Sequence, residues 1–232
     1  MTFIPCDLTD LASTSEAGAR ITRETEKLDW VFCNAGVMAI PAGLTKGGWE
    51  VQFGVNHLGH AMLIKKLLPM LERTAKQGSD VRVIFNTSLG FKFASTIAFD
   101  TLNTKQESMV LGAFKRYGQS KLANILYPAE LARRYPSITF ASVHPGVIKT
   151  GLVTGLSGFN RYFTEATTYF SQISIEEGAK NQLWAASVDK SKIVSGEYYE
   201  PVGQPGGHTA ASQDAKLRED LYTWTDKVTS KF

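Results

Sequence analysis

Short apolar runs alternate along the chain with longer stretches in which apolar residues recur with the period of a helix. The runs predict five strands, near residues 2 to 6, 29 to 34, 81 to 87, 138 to 143 and 196 to 200. The periodic stretches predict four helices, near residues 10 to 26, 47 to 73, 113 to 134 and 176 to 187. This alternation is typical of an α/β fold, in which helices cover both faces of a parallel sheet.

The remaining segments are assigned by their composition. Asp7 and Thr9 are expected to cap the first helix, and the second helix is expected to end before Gly78. Residues 147 to 175 fit neither period and are rich in glycine and aromatic residues, so we expect a substrate loop there. Residues 203 to 232 are expected to form a C-terminal extension of one domain that spans residues 1 to 232.

Composition excludes several classes of protein. The 232 residues are 43% hydrophobic with a net charge of +3, and basic and acidic residues are interleaved, so we expect no nucleic-acid partner. Cys6 and Cys33 lack metal-ligand spacing, so no metal site is expected. The longest apolar stretch, near 61 to 71, is interrupted by two lysines, so we expect no membrane span and a cytoplasmic protein.

Tyr117 and Lys121 are the first candidates for chemistry. They stand four residues apart in a predicted helix, so both side chains project from one face. An ammonium group beside a phenol stabilises phenolate and lowers the pKa of the tyrosine, which suits acid–base work on a carbonyl or an alcohol. The same spacing also occurs on solvated helix faces, so it indicates a site only together with other residues.

Polar or small residues follow three of the predicted strands. Ser88 ends the run that begins at Val81, Asn34 to Gly36 follow a second strand, and His144 to Gly146 follow a third. Ligands of open α/β sheets bind at the carboxyl ends of the strands. We therefore expect these strand ends to converge with Tyr117 and Lys121 on one crevice.

Together these residues resemble the short-chain dehydrogenase/reductase family from Met1 to about Gly203. The sequences Arg82-Val-Ile-Phe-Asn-Thr-Ser88, Tyr117-Gly-Gln-Ser-Lys-Leu-Ala-Asn-Ile-Leu126 and His144-Pro-Gly146 are similar to its retinol-dehydrogenase-like branch. The resemblance implies a Rossmann-like sheet of about five strands and the NAD- or NADP-dependent reduction of a carbonyl or oxidation of an alcohol. The aromatic segment from Leu152 to Phe170 indicates that the substrate is apolar.

The resemblance also implies roles for individual residues. Tyr117 would be the catalytic acid or base, and Lys121 would lower its pKa and hold the nicotinamide ribose. Ser88 would orient the substrate oxygen, and Asn56 would anchor a water that relays protons through Lys121. The positions that match cofactor contacts are Asp7, Leu8, Asn34, Ala35, Gly36, Tyr117, Lys121, Pro145, Gly146 and Thr150.

One part of the family pattern is missing from this sequence. In the family, a glycine-rich turn and the helix after it bind the cofactor pyrophosphate, and no such turn precedes the motifs above. Gly203 to Gly207 follows the last strand without a helix in the required register. The loss of two or three charge-assisted hydrogen bonds, each worth about 1.5 to 3 kcal/mol, would weaken binding by roughly 10² to 10⁶-fold. The residue that distinguishes NAD from NADP belongs to the same missing part.

The sheet is expected to be truncated at strand 29 to 34, whose usual neighbour has no counterpart here. An uncovered apolar edge pairs readily with another strand. We therefore expect either that strand 2 to 6, which Pro5 suits to an edge, pairs with it or that a second copy of the chain covers it in a homodimer.

Three interpretations remain open at this stage. The chain is an enzyme that binds its cofactor weakly or with a partner chain, a non-catalytic relative that serves as a binding or regulatory protein, or a fragment of a full-length enzyme. The complete set of Asn56, Ser88, Tyr117 and Lys121 favours the first and third interpretations, and the missing phosphate turn favours the second.

Overall fold

The computed structural model describes residues 1–107, 111–148 and 172–232 and contains helices on both sides of a five-stranded sheet. Its main helices are α1 (Leu11–Glu24), α2 (His60–Lys76), α3 (Gly112–Arg134), α4 (Ile175–Ser187) and α5 (Ala215–Thr229). Its strands are β1 (Trp30–Cys33), β2 (Arg82–Asn86), β3 (Thr139–Val143), β4 (Val147–Ile148), β5 (Gln172–Ile173), β6 (Tyr198–Glu200) and β7 (Gln204–Pro205).

The sheet has the order β1-β2-β3-β6-β7, and only its β6–β7 pair is antiparallel. All residues of β2 and β3 are buried, as expected for strands covered on both faces. The α/β fold and four of the five predicted strands are therefore confirmed. The parallel pairs also place the ends of β1, β2 and β3 along one edge of the sheet, where the candidate residues follow.

The prediction of a strand at residues 2 to 6 is wrong. This segment has no regular structure, and Met1 and Phe3 are exposed. Among the described residues β1 pairs with β2 alone, so the pairing of residues 2 to 6 with 29 to 34 is also wrong. Pro5 offers no N–H to a ladder, and the chain after it turns at once into α1, since the Asp7 carbonyl accepts a bond from the Asp10 N–H at 3.0 Å.

The cap of α1 is Asp10 rather than Asp7 or Thr9. The Asp10 carboxylate accepts bonds from the backbone N–H groups of Ala12 and Ser13, at 3.0 and 3.4 Å. Asp7 instead closes a tight turn by accepting from the Thr9 N–H at 2.9 Å. Asp10 lies one residue and Asp7 four residues before the helix start at Leu11, and both are of the residue type that caps helices, so composition alone did not separate their roles.

The second predicted helix, near 47 to 73, begins later and contains a change of helix type. It starts with one α-turn, Val51–Phe53, widens into a π-helical segment, Gly54–Gly59, and continues as α2. The backbone of Gly48 has a φ of 79°, which ends the preceding turn and delays the helix start. α2 ends at Lys76, before Gly78, as predicted.

The C-terminal extension contains a helix that the sequence analysis did not assign. Asp214 caps α5 by accepting from the N–H groups of Lys216 and Leu217 at 2.9 and 3.0 Å. The buried side chains of Leu217 and Leu221 belong to the main core, and α5 packs against α3 and α2. The predicted substrate loop lies mostly outside the described residues, and β4 and β5 pair at its two ends.

No helix in the described parts of the chain combines the length and the apolar composition needed to cross a bilayer.

Candidate active site

The site is built on α3, which lies against β2 and β3. Tyr117 and Lys121 are one helical turn apart and are 7% and 5% exposed. The Lys121 ammonium donates to the backbone carbonyl of Asn86, the last residue of β2, at 3.1 Å. Its Nζ also lies 5.6 Å from the centre of the Tyr117 ring. The structure therefore brings this pair together at the carboxyl end of β2, as the sequence analysis expected.

Ser88 reaches the same place from the end of β2. Its Oγ accepts a bond from the Gly90 N–H at 3.1 Å and so caps the 3₁₀ helix Leu89–Phe93. The ring of Tyr117 fits against Gly90, where a Cβ atom would lie 2.8 Å from Tyr117 Cε1 and 3.4 Å from Ser88 Oγ. The glycine thus allows the serine and the tyrosine to approach each other.

Burial controls the ionisation of the pair. It raises the pKa of Tyr117 to about 12, although a hydrogen bond to the Ser88 side chain lowers this pKa in part. It lowers the pKa of Lys121 to about 8. The sequence argument expected the lysine to lower the pKa of the tyrosine, and this contribution stays a prediction; the loss of hydration on burial dominates the net pKa of Tyr117. Tyr117 is therefore a neutral phenol at pH 7, which can donate a proton.

Asn56 lies in the π-helical segment and is fully buried. Its side chain accepts from the Val37 N–H at 2.8 Å and donates to the Val37 carbonyl and to Ser120 Oγ, both at 2.9 Å. Its backbone carbonyl lies 3.0 Å from His60 Nδ1 and accepts from Asn124 Nδ2 at 3.1 Å. Asn56 therefore fixes the loop after β1, and its role as a water anchor stays a prediction.

The loop after β1 comes close to the lysine. A Cβ atom at Gly36 would lie 2.9 Å from Asn56 Oδ1 and 3.6 Å from Lys121 Nζ, so only glycine leaves this space beside the ammonium. Asn34 and Ala35 are exposed, and Asn34 Oδ1 accepts from Asn86 Nδ2 and from Gln182 Nε2. This contact ties the ends of β1 and β2 to α4.

The other predicted cofactor positions that the structure describes lie in the turn before α1 and in the segment after β3. The exposed carboxylate of Asp7 accepts from Thr9 and faces Lys46 Nζ at 3.1 Å, and hydrogen bonds from Thr9 hold its pKa at about 2. Leu8 follows it in the turn before α1. Pro145 and Gly146 are half-buried after β3, and Thr150 lies outside the described residues.

Three buried amides that the sequence analysis missed hold the site together. Asn124 donates to the carbonyls of Asn56 and Asn86 at 3.1 and 3.0 Å. Asn181 donates to the His144 carbonyl at 2.7 Å and so fixes the start of the segment that contains Pro145 and Gly146. Asn86 is the third. A polar residue inside the apolar run from Leu122 to Leu126 was the available signal for Asn124.

The arrangement fits the nicotinamide end of a dinucleotide better than the pyrophosphate end. Lys121 Nζ has three donors, of which Asn86 uses one, and it lies beside the space at Gly36. Gly203 and Gly206, by contrast, flank β7 in the antiparallel hairpin with β6, and no helix begins there. This cluster therefore belongs to a β-hairpin.

Known proteins were compared by sequence and by structure, and the sequence comparisons cover a family model and curated proteins. Residues 1–200 match the family model described as enoyl-(acyl carrier protein) reductase. The chain is 36% identical over 235 residues to an uncharacterized oxidoreductase of Schizosaccharomyces pombe, covering 97% of this chain and 68% of the relative. It is 34% identical over 245 residues to the short-chain dehydrogenase/reductase drtF of Aspergillus calidoustus, with coverages of 99% and 77%. Human retinol dehydrogenase 13 is 37% identical over 218 residues, with coverages of 91% and 64%.

Solved structures agree with these sequence relationships. An uncharacterized protein from Mycobacterium paratuberculosis superposes with a TM-score of 0.72 at 29% identity, covering 97% of this chain and 74% of that chain. The NADPH-bound carbonyl reductase from chicken fatty liver has a TM-score of 0.61 at 20% identity, with coverages of 89% and 77%. The second likeness concerns the fold alone.

Proposed function

Because the chain belongs to the short-chain dehydrogenase/reductase family, we propose that it interconverts a carbonyl and an alcohol with NAD or NADP as the hydride partner. The observation that supports this most strongly is the meeting of Ser88, Tyr117 and Lys121 at the carboxyl end of β2. A hydroxyl, a phenol and an ammonium group in one crevice can bind a carbonyl oxygen and protonate it.

The chain's own residues divide this work. Tyr117 donates its phenolic proton to the substrate oxygen during reduction and accepts it back during oxidation. Ser88 donates a hydrogen bond to the same oxygen and fixes its position. Lys121 keeps a positive charge beside the phenol, which stabilises the phenolate that remains after proton transfer. When bound, the nicotinamide supplies or accepts the hydride.

The proposed cofactor contacts extend from this cluster in two directions. Lys121 would hold the nicotinamide ribose, and Pro145, Gly146 and Thr150 would contact the nicotinamide. Asn34, Ala35 and Gly36 would lie under the adenosine ribose, with Asp7 and Leu8 at the adenine. Within residues 1–107, 111–148 and 172–232 no glycine-rich turn joins a strand to a helix, so we propose that these residues alone bind the dinucleotide weakly.

The substrate is proposed to be an apolar aldehyde, ketone or alcohol. A small apolar cluster next to the site contains Ala39 and Phe114, with Met38 and Leu111 packed against it. The ring of Phe93 lies 6.0 Å from that of Phe114 and is 46% exposed. The 3₁₀ helix that carries Phe93 begins directly after Ser88. An apolar substrate that binds Ser88 and Tyr117 can therefore bury part of its surface on this cluster.

A second copy of the chain is proposed as the partner that covers β1. Trp30 and Phe32 are 49% and 40% exposed on one face of the strand. The outer backbone edge of β1 has no partner among the described residues. Two such edges related by a twofold axis run antiparallel and can pair with each other.

A non-catalytic binding protein is the second candidate function, and it is favoured by the lack of a glycine-rich phosphate turn among the residues that the structure describes. Turnover separates the two candidates. We expect the protein to reduce apolar aldehydes with millimolar NADPH or NADH, and Tyr117→Phe to lower the rate by at least about 100-fold because the proton donor is lost. Absorbance of the reduced cofactor measures both rates.

The matched control for this experiment is Tyr127→Phe. Tyr127 lies on the same helix and is 5% exposed, and its ring packs against those of His57, Phe85 and Tyr222. Its variant should keep the wild-type rate, and circular dichroism should show that both variants are folded. A Tyr117→Phe protein with undiminished turnover would overturn the mechanism.

A further inference from the structure

Asn124 lies one helical turn beyond Lys121 on α3 and has no exposed surface. Its amide nitrogen donates two hydrogen bonds, one to the Asn86 carbonyl at 3.0 Å and one to the Asn56 carbonyl at 3.1 Å. The Asn86 carbonyl is the same oxygen that accepts from Lys121 Nζ, at 3.1 Å. The Asn86 carbonyl oxygen therefore accepts hydrogen bonds from both side chains.

The second acceptor connects Asn124 to the unusual helix. The Asn56 carbonyl belongs to the π-helical segment, whose backbone pairing differs from that of the α-helix that follows. This oxygen accepts from Asn124 and lies 3.0 Å from His60 Nδ1. The amide of Asn124 thus links the end of β2 to the π-helical segment. In that segment the side chain of Asn56 holds the loop around Gly36.

We propose that Asn124 is a positioning residue that holds the Asn86 carbonyl and the π-helical segment in register and thereby fixes where the Lys121 ammonium lies. Only the expected effect of Asn124 on turnover rests on the proposed function. The position of Lys121 is a property of the protein without ligand and can be measured without turnover.

Three titratable groups in the described part of the chain interact with Lys121. Tyr117 faces it from the same helix, His60 from α2 and His144 from the end of β3. Burial lowers the pKa of His60 and of His144 to about 4, so both are neutral at pH 7, and Tyr117 stays protonated until a pKa of about 12. Between pH 7 and pH 10 Lys121 is therefore the group in this cluster that titrates, and burial sets its pKa at about 8.

The test is an NMR titration of the lysine side chains in the wild type and in Asn124→Ala, with Lys121 identified as the resonance that is absent in Lys121→Arg. Removal of the amide opens a small polar space that water can enter. We expect the hydrated ammonium to move away from Asn86 and its titration midpoint to rise by about one pH unit. In turnover assays, kcat should fall about tenfold with a smaller change in KM.

Ser142→Ala is the matched control. Ser142 is 1% exposed and its hydroxyl donates to the backbone carbonyl of Asn124 at 2.8 Å. The variant removes a buried hydrogen bond to the same residue but leaves the amide bonds in place, so the Lys121 midpoint should stay at its wild-type value. If Asn124→Ala fails to fold, Asn124→Ser makes the same test.

An unchanged Lys121 midpoint in the folded Asn124 variant, or an equal shift in Ser142→Ala, would overturn the positioning role. A wild-type protein without turnover would contradict the proposed function instead, and the titration would still decide the role of Asn124.

Discussion

Single residues at this site are shaped by burial more than by their charged neighbours. Lys121 is 5% exposed, and desolvation lowers its pKa from 10.5 to about 8. Tyr117 changes in the opposite direction, to about 12, since its charged form is the deprotonated one. Together these shifts keep a neutral phenol beside an ammonium group at pH 7, which is the protonation state that carbonyl reduction requires.

The buried ammonium has a cost in stability that depends on pH. Below pH 8 the folded protein carries the charge and the cost is present in full. Between pH 8 and 10.5 the folded protein releases this proton before the unfolded chain does, so the cost is relieved as the pH rises. We predict that Lys121→Met raises the free energy of unfolding by roughly 2 kcal/mol at pH 7, after allowance for the lost bond to Asn86.

Urea unfolding at pH 7 and pH 10 checks this prediction. The advantage of Lys121→Met over the wild type should shrink at the higher pH, because the wild-type lysine is then neutral. Lys192→Met is the control, since it removes the same charge from an exposed position. An advantage that is the same at both pH values would show that the charge of Lys121 carries no such cost.

At the level of elements, the sequence predicts those helices and strands whose apolar pattern is distinct. The strands at 29 to 34, 81 to 87, 138 to 143 and 196 to 200 were recognisable from their short apolar runs. Strands β2 and β3 are fully buried, whereas in β1 only the alternate residues Val31 and Cys33 are buried. Residues 2 to 6 have a similar pattern but find no strand to pair with, so the same local signal gave a wrong result. Pairing is a tertiary property that a local pattern does not contain.

The same contrast between local pattern and tertiary contact applies to the candidate site. The approach of Ser88, Tyr117 and Lys121 followed from strand ends and helical spacing. The roles of Asn124 and Asn181 did not, because each donates to backbone carbonyls that are distant in sequence. Helix α5 was not predicted, although Asp214 is a typical capping residue and Leu217 and Leu221 have helical spacing.

The cap of α5 gives a prediction at this scale. Asp214→Ala should lower the free energy of unfolding by about 1 kcal/mol, because two N–H groups at the helix start lose their acceptor. Asp220→Ala is the control, since Asp220 forms an exposed ion pair with Lys216 on the same helix and its loss should cost less than about 0.5 kcal/mol. Thermal unfolding of both variants provides the comparison, and equal losses would contradict the capping role.

For the whole molecule, the unpaired side of β1 is the feature that most affects assembly. Analytical ultracentrifugation should detect a dimer, and Trp30→Lys should raise its dissociation constant at least about tenfold because a charge would enter the apolar contact. Val194→Lys changes another exposed apolar residue, 61% exposed, and should leave the dimer intact. A wild-type protein that is monomeric at about 100 μM would contradict the proposed pairing.

The central claim is that these 232 residues form the nicotinamide end of a hydride-transfer site, and calorimetric titration with NADPH and with NADH tests it most directly. We predict saturable binding of at least one cofactor, with a dissociation constant of about 1 mM or below, and weaker binding by Lys121→Met. Absence of saturable binding of either cofactor up to about 10 mM would leave Tyr117 without a hydride partner and would contradict the account.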